Sequence, residues 1–374
     1  MIPGLSSDRA TASVALDGRA GRARRRRLTQ ARIALERALT GWPARCVALV
    51  AAWAALGFAV AASIGLPLRW PTTELVVRAR WMLLLLYAPL ALAWVLAAAG
   101  RQRPLLGRWR RLLLSPAFFL EAVVALAALH VTVGVLANLK QYLPAINEML
   151  YDSPLWRLDA WLHAGVEPAV AATELAAEHG LLPWLDHAGL LSSAMQLVVP
   201  LLFLLAAKLR PLRGRFFFAY CLLWMLGCAL FALWPTLGPA FYRPSRFVWL
   251  DQAPHAQHLQ DALLRDYVAF RTDPSRYAVT LHQGIVALPN LQVGVLALFA
   301  LAAARWRALS LGLWLSTLVL FAASLALGWH YAVDGYAGAL LACVAWLAAC
   351  CAVPEQRPDR DVAARTLPRR STVA

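Results

Sequence analysis

The chain has 374 residues, of which 61% are hydrophobic and only 15% are charged. A soluble domain carries about 25% charged residues, so this composition excludes the two or three soluble domains that the length alone suggests. The formal net charge is +16, but the basic residues cluster in short segments beside apolar runs, where they act as topology signals. We therefore expect no nucleic-acid partner.

Eight apolar segments approach the roughly 20 residues that a helix needs to cross a bilayer. They predict an all-α polytopic membrane protein with spans near 44–67, 80–100, 112–137, 187–207, 215–235, 289–304, 308–328 and 331–353. The six cysteines all lie in these segments and lack metal-ligand spacing, so we expect neither a disulfide framework nor a metal site. No nucleotide-binding pattern is present, and we expect no cofactor.

The basic residues are distributed unevenly about these spans. With the N-terminus inside, the short inner segments and the two tails carry 25 of the 36 Lys and Arg residues, although the outer loops are much longer. Inner loops are enriched in Lys and Arg, so both termini are predicted to be cytoplasmic. We expect an integral protein of a bacterial inner (plasma) membrane, with two long loops, 139–186 and 236–288, facing outward.

The organisation of the chain follows from these spans. The spacing of apolar residues over 155–162 predicts a helix lying at the membrane interface, and we interpret Asp152 and Asp159 as residues of that helix rather than as catalytic acids. The predicted parts are a basic cytoplasmic tail (1–42), a three-helix membrane extension (43–138), a membrane core (139–353) and a cytoplasmic tail (354–374).

Other polar residues have simpler interpretations. Glu121 and His130 fall within the third span, where ionisable groups are costly and need partners. They either pair across the bundle or line a polar cavity, and we favour pairing. We interpret His255 and His258, in the second long loop, as exposed.

The stretch GWHYAVDGYAG at 328–338 places a histidine and an aspartate between apolar runs. His330 and Asp334 are four residues apart, which predicts that they share one helical face. The carboxylate then accepts a hydrogen bond from one ring nitrogen and leaves the other nitrogen unprotonated and nucleophilic. The alternative is an interfacial histidine at a helix end with an ordinary acidic residue in the first turn, and the pair alone does not decide between them.

A second stretch, HQGIVALPNLQVG at 282–294, adds to this pair. Together they resemble the type 2 phosphatidic acid phosphatase (PAP2) superfamily, and most closely its inositol phosphorylceramide synthase-like (inositolphosphotransferase) branch, over about residues 140–353. The residues that carry the resemblance are Gly284, Ile285, Val286 and Pro289, followed by His330, Tyr331, Asp334, Ala337 and Gly338.

The resemblance implies a lipid phosphatase or phospho-head-group transferase acting at the outer face of the membrane. In the family the histidine matching His330 becomes phosphorylated, the aspartate matching Asp334 orients it, and a second histidine protonates the leaving group. Basic residues bind the phosphate. We assign that role to Lys140, Arg243 and Arg246, because Leu325 stands where the phosphatases have an arginine.

The second motif of this chain departs from the family. Asn290 and Gln292 replace its serine and its general-acid histidine, and we place both, with Tyr331, among the substrate-binding residues. An amide cannot give up a proton, so His282 becomes a candidate acid. Alternatively, the substrate is a lipid diphosphate, whose leaving phosphate needs no acid.

A rival hypothesis is a catalytically degenerate protein on the same scaffold that binds a phospholipid or a protein partner. A transporter is disfavoured because the sequence has no internal repeat. The sequence does not indicate the lipid, the acceptor or the oligomeric state.

Overall fold

The structure is a computed structural model, and it describes residues 41–98, 103–206, 209–274 and 284–355. Within these residues every regular element is an α-helix or a 3-10 turn. The prediction of an all-α polytopic membrane protein is therefore confirmed. Nearly all of the two predicted tails lies outside the described residues.

The described helices are numbered in chain order. They are α1 (Trp42–Ser63), α2 (Thr72–Ala98), α3 (Arg103–Leu113), α4 (Pro116–Gln141), α5 (Leu143–Ile146), α6 (Asp152–Leu162), α7 (Pro168–Glu178), α8 (Leu182–Leu185), α9 (Ala188–Leu205), α10 (Arg213–Leu233), α11 (Pro239–Tyr242), α12 (Pro254–Thr272), α13 (Leu291–Ala302), α14 (Arg307–Ala326) and α15 (Ala332–Ala352). Short 3-10 turns cover Arg210–Leu212, Pro244–Arg246 and Val248–Gln252.

Seven segments of the described chain are long and apolar enough to cross a membrane. They are α1, α2, α4, α8 with α9, α10 with the turn before it, α14 and α15. Of the described residues, 41–44 and 87–125 belong to one compact unit, and 45–86 with 126–355 belong to another. Every feature of the candidate site lies in the second unit.

Two of the eight predicted spans differ from the structure. The sixth, predicted at 289–304, is only the 12-residue helix α13, because residues 284–290 form a loop instead. A helix that is apolar on all sides is suited to the interior of a protein, and most of α13 is buried. The second span begins at Thr72 rather than near residue 80, so Arg78 lies within α2 and not in a loop.

Helix α13 packs against α10, α14 and α15. Its closest approach is to α15, where two glycines face each other. A Cβ atom on Gly294 would lie 2.7 Å from the carbonyl oxygen of Gly338, and a Cβ atom on Gly338 would collide with the carbonyl oxygen of Asn290. Backbone-to-backbone contact of this kind positions the start of α15, which carries the candidate site.

We expect Gly338→Ala to lower the stability of the protein. The added methyl group meets backbone rather than a flexible side chain, and overpacking of this kind typically costs about 1–3 kcal/mol. Thermal unfolding followed by tryptophan fluorescence in lipid nanodiscs measures the effect. Gly312→Ala is the matched control, because a Cβ atom on Gly312 meets nothing within 4 Å and a helical Gly→Ala change is otherwise favourable by about 0.5–1 kcal/mol. A Tm for Gly338→Ala equal to that of the control would contradict the close approach of α13 to α15.

Candidate active site

His330 lies at the junction between α14 and α15, two residues before α15 begins. Its Nδ1 atom is 2.8 Å from the carbonyl oxygen of Ala287. Because a carbonyl oxygen can only accept a hydrogen bond, Nδ1 carries the proton of the neutral ring and Nε2 keeps its lone pair. The ring lines a large cavity, so Nε2 belongs to a group that a ligand can reach.

Asp334 is fully buried beside this ring. One of its oxygens, Oδ2, lies 3.5 Å from His330 Nδ1 and accepts a hydrogen bond of 2.8 Å from the backbone N–H of Tyr331. The prediction that His330 and Asp334 share a helical face is wrong, because α15 begins only at Ala332. The two side chains meet because Asp334, in the first turn, reaches back over the end of its helix.

The loop 284–290 holds the ring from the other side. Thr236 anchors this loop, since its carbonyl oxygen accepts from the N–H of Ala287 and its hydroxyl accepts from the N–H of Leu288, both at 2.9 Å. Gly284 has a φ of +83°, and a Cβ atom there would lie 2.9 Å from the carbonyl oxygen of Lys140. The carbonyl of Ala287 is therefore fixed in the position from which it orients His330.

The cavity beside His330 has a volume of about 930 Å³. Ligand pockets typically occupy 300–1,000 Å³, so this cavity is large enough for a lipid head group and part of its chains. Most of its wall is apolar, with a small set of polar and charged residues: Thr73, Glu74, Arg78, Lys140, Asp186, His187, Ser193, Gln196, Trp224, His255, Gln292, Ser324 and His330.

A comparison with protein families decides the classification. The model of the PAP2 superfamily matches residues 153–348, slightly more than half of the chain. The chain belongs to the PAP2 superfamily. No curated protein and no solved structure matches the chain.

The PAP2 match includes His330, Asp334 and the loop before α13, and it begins just after the first residue of α6. Helices α1 to α5 precede it. Membership points to a phosphatase-like, lipid-related function. The match extends to the superfamily only and supplies no evidence for the inositolphosphotransferase-like branch.

Two predicted substrate-binding residues line the cavity together with His330. Gln292, in the first turn of α13, is exposed to this space, and Lys140 contributes from the last turn of α4. Within the described residues, no carboxylate pairs with Lys140. His282, the predicted substitute acid, lies outside the described residues.

Asn290 has a structural role in this PAP2 core. Its Oδ1 accepts from the N–H of Val293 at 3.1 Å, and its Nδ2 donates to the Ser324 hydroxyl at 3.0 Å. The side chain is buried and does not line the cavity. These contacts cap α13 and tie it to α14, so they do not support the predicted substrate-binding role.

The predicted phosphate-binding arginines of the second long loop lie elsewhere. The Arg243 guanidinium stacks 4.8 Å from the centre of the Trp156 ring, and Arg246 pairs with Glu167 at 3.0 Å. Neither lines the cavity. Tyr331 is likewise buried and donates from its hydroxyl to Asp152 at 2.9 Å.

Two carboxylates of α6 hold the site in place, a role that sequence reasoning missed. Asp152 accepts from the N–H groups of Leu237 and Gly238, at 2.9 and 2.8 Å. Asp159 accepts from the first two N–H groups of α15, those of Ala332 and Val333, at 3.0 Å each.

Asp152 and Asp159 are residues of α6, as predicted, but both carboxylates are only 3% exposed. Burial raises the pKa of each carboxyl above its ordinary value, although the hydrogen bonds it accepts act in the opposite direction. The alternation of these acids with apolar residues resembles an interfacial helix, and only the fold shows which N–H groups they meet.

The sequence analysis did not single out Asp186 or His187, which also line the cavity. The side chain of Asp186 accepts from the N–H groups of His255 and Ala256 at the start of α12. The rings of His187 and His255 meet edge to face, 5.2 Å apart. His255 is exposed as predicted, but it also lines the cavity.

Proposed function

We propose that this protein is a lipid phosphatase or phospho-head-group transferase that works through a phosphohistidine at His330. The observation that carries the proposal is the contact of 2.8 Å between Nδ1 of His330 and the carbonyl oxygen of Ala287. The carbonyl of Ala287 accepts a hydrogen bond from the Nδ1–H group, which leaves the Nε2 lone pair for attack on phosphorus in a lipid-sized cavity. Membership of a superfamily whose members are generally phosphatases supports the same chemistry.

The proposed reaction has two steps. In the first, Nε2 of His330 bonds to phosphorus while the bond from phosphorus to the leaving oxygen breaks, and the leaving group keeps the electron pair. In the second, water or another hydroxyl attacks phosphorus, the phosphorus–nitrogen bond breaks, and the hydroxyl proton passes to solvent. Hydrolysis and transfer differ only in the attacking hydroxyl.

Asp334 acts on the intermediate. The phosphorylated ring keeps its proton on Nδ1 and therefore carries a positive charge. A fixed carboxylate 3.5 Å from that nitrogen stabilises this charge without having to reorient. The hydrogen bond to Ala287 sets the tautomer, and Asp334 supplies the negative charge.

Lys140 and Gln292 are the proposed ligands of the phosphoryl oxygens. An ammonium group gives charge-assisted hydrogen bonds to phosphate, and the Gln292 amide adds a neutral donor. Both line the cavity with His330. The proposed phosphate site does not include four of the residues predicted from the sequence, because each makes the other contacts described above. These residues are Arg243, Arg246, Asn290 and Tyr331.

The preferred leaving group follows from Gln292. General acid catalysis contributes about 10²–10⁴-fold, and an amide cannot supply it. A phosphate expelled from a lipid diphosphate is already a weak base and gains little from protonation. We therefore propose a lipid diphosphate as a better substrate than a lipid monophosphate.

The proposed site of action is the outer face of a bacterial inner membrane, with both termini in the cytoplasm. The distribution of Lys and Arg about the spans supports this orientation. The 284–294 stretch resembles the inositolphosphotransferase-like branch, and we therefore propose more specifically that the protein transfers the phospho-head group to another hydroxyl rather than to water.

Covalent labelling tests the proposal. Purified protein in nanodiscs would be incubated separately with a lipid monophosphate and a lipid diphosphate, each carrying ³²P in the phosphoryl group to be transferred. We expect acid-labile, base-stable label on the protein, mainly from the diphosphate, and its complete loss in His330→Ala. His179→Ala is the matched control, because His179 also bonds a carbonyl through Nδ1 but lies outside the cavity. Label that survives in His330→Ala would refute the assignment of the nucleophile.

Gln292 also favours a second candidate function, a catalytically degenerate protein that binds a phospholipid or a protein partner. This candidate predicts lipid binding without label from either substrate, in a protein whose unfolding temperature shows that it is folded.

A further inference from the structure

The cavity extends from the His330 end into the membrane spans. Lys140 is one residue from the end of α4, whereas Val133 lies seven residues earlier, about 10 Å along the helix. Arg78 lies almost two turns into α2, and Trp224 lies near the middle of α10. We call the part of the wall formed by Arg78, Val133 and Trp224 the inner end.

The permanent positive charges of the cavity come from outside the PAP2 match. Arg78 and Lys140 are the only Lys or Arg residues among the described residues that line it, and both precede residue 153, where the match begins. A charged side chain within a span is costly and usually faces a cavity with a function. Arg78 therefore requires an explanation separate from the phosphoryl chemistry at His330.

The inner end also has hydrogen-bonding groups without partners. The indole Nε1 of Trp224 is buried and has no partner at hydrogen-bond distance within the described residues, although the residue lines the cavity. The buried hydroxyl of Tyr220, which lies near both Trp224 and Arg78, likewise has no partner at that distance. His130, which lies within electrostatic reach of Arg78, bonds the carbonyl of Leu126, in its own helix, through Nδ1, and its ring lies close to the backbone of Leu75 in α2. Its Nε2 has no partner at hydrogen-bond distance among the described residues. Buried polar groups of this kind require a ligand or water.

The charge at this end favours a neutral ligand group over a second phosphate. Glu74 precedes Arg78 by four residues, so the two share a face of α2, and both line the cavity. The carboxylate of Glu74 therefore lowers the net positive charge near Arg78. The hydrogen-bonding groups of Arg78 and Trp224 are donors only, so they suit a neutral oxygen acceptor.

We propose that the inner end binds the carbonyl oxygen of an acyl linkage in the bound lipid phosphate, through Arg78 and the Trp224 indole. In glycerolipid phosphates and N-acyl sphingoid phosphates an ester or amide carbonyl lies a few bonds below the phosphate, whereas ether lipids and isoprenoid chains have none. The N-terminal extension thus selects the class of lipid, and Arg78 is a specificity-determining residue. This inference rests on the proposed function for the phosphate end but concerns binding alone.

Equilibrium binding of matched lipids tests the inference. Diacylglycerol phosphate, its dialkyl ether analogue and ceramide phosphate would be titrated by native mass spectrometry into the full-length protein in nanodiscs. The His330→Ala background prevents turnover. We expect the diacyl lipid to bind about tenfold or more tightly than the ether lipid, since hydrogen bonds to charged groups have about that effect on affinity. Binding of the ceramide lipid distinguishes an amide from an ester carbonyl.

Arg78→Met should abolish the preference for the diacyl lipid, with the affinity for the ether lipid changed by less than about twofold. Trp224→Phe should reduce the preference while keeping the ring, which guards against a folding defect in the arginine variant. Arg265→Met is the control, because Arg265 is an exposed arginine outside the cavity, and this variant should keep the preference for the diacyl lipid. Equal binding of diacyl and ether lipids by the protein with Arg78 intact would overturn the inference. Loss of the phosphohistidine label with the preference intact would overturn only the proposed function.

Discussion

Gln292→His is expected to raise the turnover of lipid monophosphates by about 10²–10⁴-fold, the usual contribution of a general acid. Gln292 lines the cavity with His330 and is exposed to it, so an imidazole at this position has room to reach a leaving oxygen. The residue also occupies the position at which the family resemblance places the acid. Turnover of lipid diphosphates should change little, because the departing phosphate needs no proton.

The pH profile of this variant provides an independent test. Residue 292 lies in the first turn of α13, where the helix dipole disfavours a positive charge. The introduced imidazole should therefore have a pKa below the ordinary value of about 6.5. An acid acts in its protonated form, so the gain on monophosphates should grow as the pH falls through that pKa.

Gln196→His is the matched control for this experiment. Gln196 lines the same cavity from α9, and the same substitution there introduces an imidazole away from the first turn of α13. A similar gain in both variants would mean that any cavity histidine acts as the acid. No gain from Gln292→His in a protein that labels normally from a diphosphate would contradict the position assigned to the leaving group.

The spans were the most predictable part of this protein. Long apolar runs dominate the composition, and seven of them form helices long enough to cross a membrane. Two predicted spans were wrong, one because a charged residue was assigned to a loop and the other because an apolar run was taken to be a helix over its full length. Arg78 suggests a loop, yet α2 begins before it, because the cavity accepts its side chain. The run at 289–304 suggests a span, yet its first residues belong to the loop that ends at Asn290, the residue that caps α13.

The pairing of His330 with Asp334 was predictable from the sequence, but the geometry of the candidate site was not. The His330 and Asp334 spacing indicates a pair, but a helical periodicity cannot show that His330 lies outside the helix. The carbonyl of Ala287, which accepts from the ring, has no signature in sequence because every residue has a carbonyl. The arginines of the second long loop were predicted to bind phosphate from their charge alone, because the sequence does not show where they lie. In the structure, the Arg243 guanidinium packs on the Trp156 ring instead.

Asp159→Ala is expected to destabilise the protein by about 2–5 kcal/mol. The carboxylate accepts two hydrogen bonds, from the N–H groups of Ala332 and Val333, and is almost fully buried. Each buried donor left without a partner costs about 1–3 kcal/mol, and loss of a helix cap alone costs about 1 kcal/mol. The measurement is thermal unfolding in nanodiscs, with Asp261→Ala as a matched control, since Asp261 is an exposed aspartate in α12.

Asp159→Ala should also lower the phosphorylation of His330. This decrease should be larger than the decrease in the amount of folded protein. The first turn of α15 begins two residues after His330, and Asp159 fixes that turn from α6. Displacing the turn moves Asp334 away from the ring, because Asp334 reaches the ring only from this turn. Asp159→Asn keeps one accepting oxygen and should retain more stability than Asp159→Ala. If both variants unfold and label as the wild type does, the start of α15 is held by its packing against α13 and not by the α6 carboxylate.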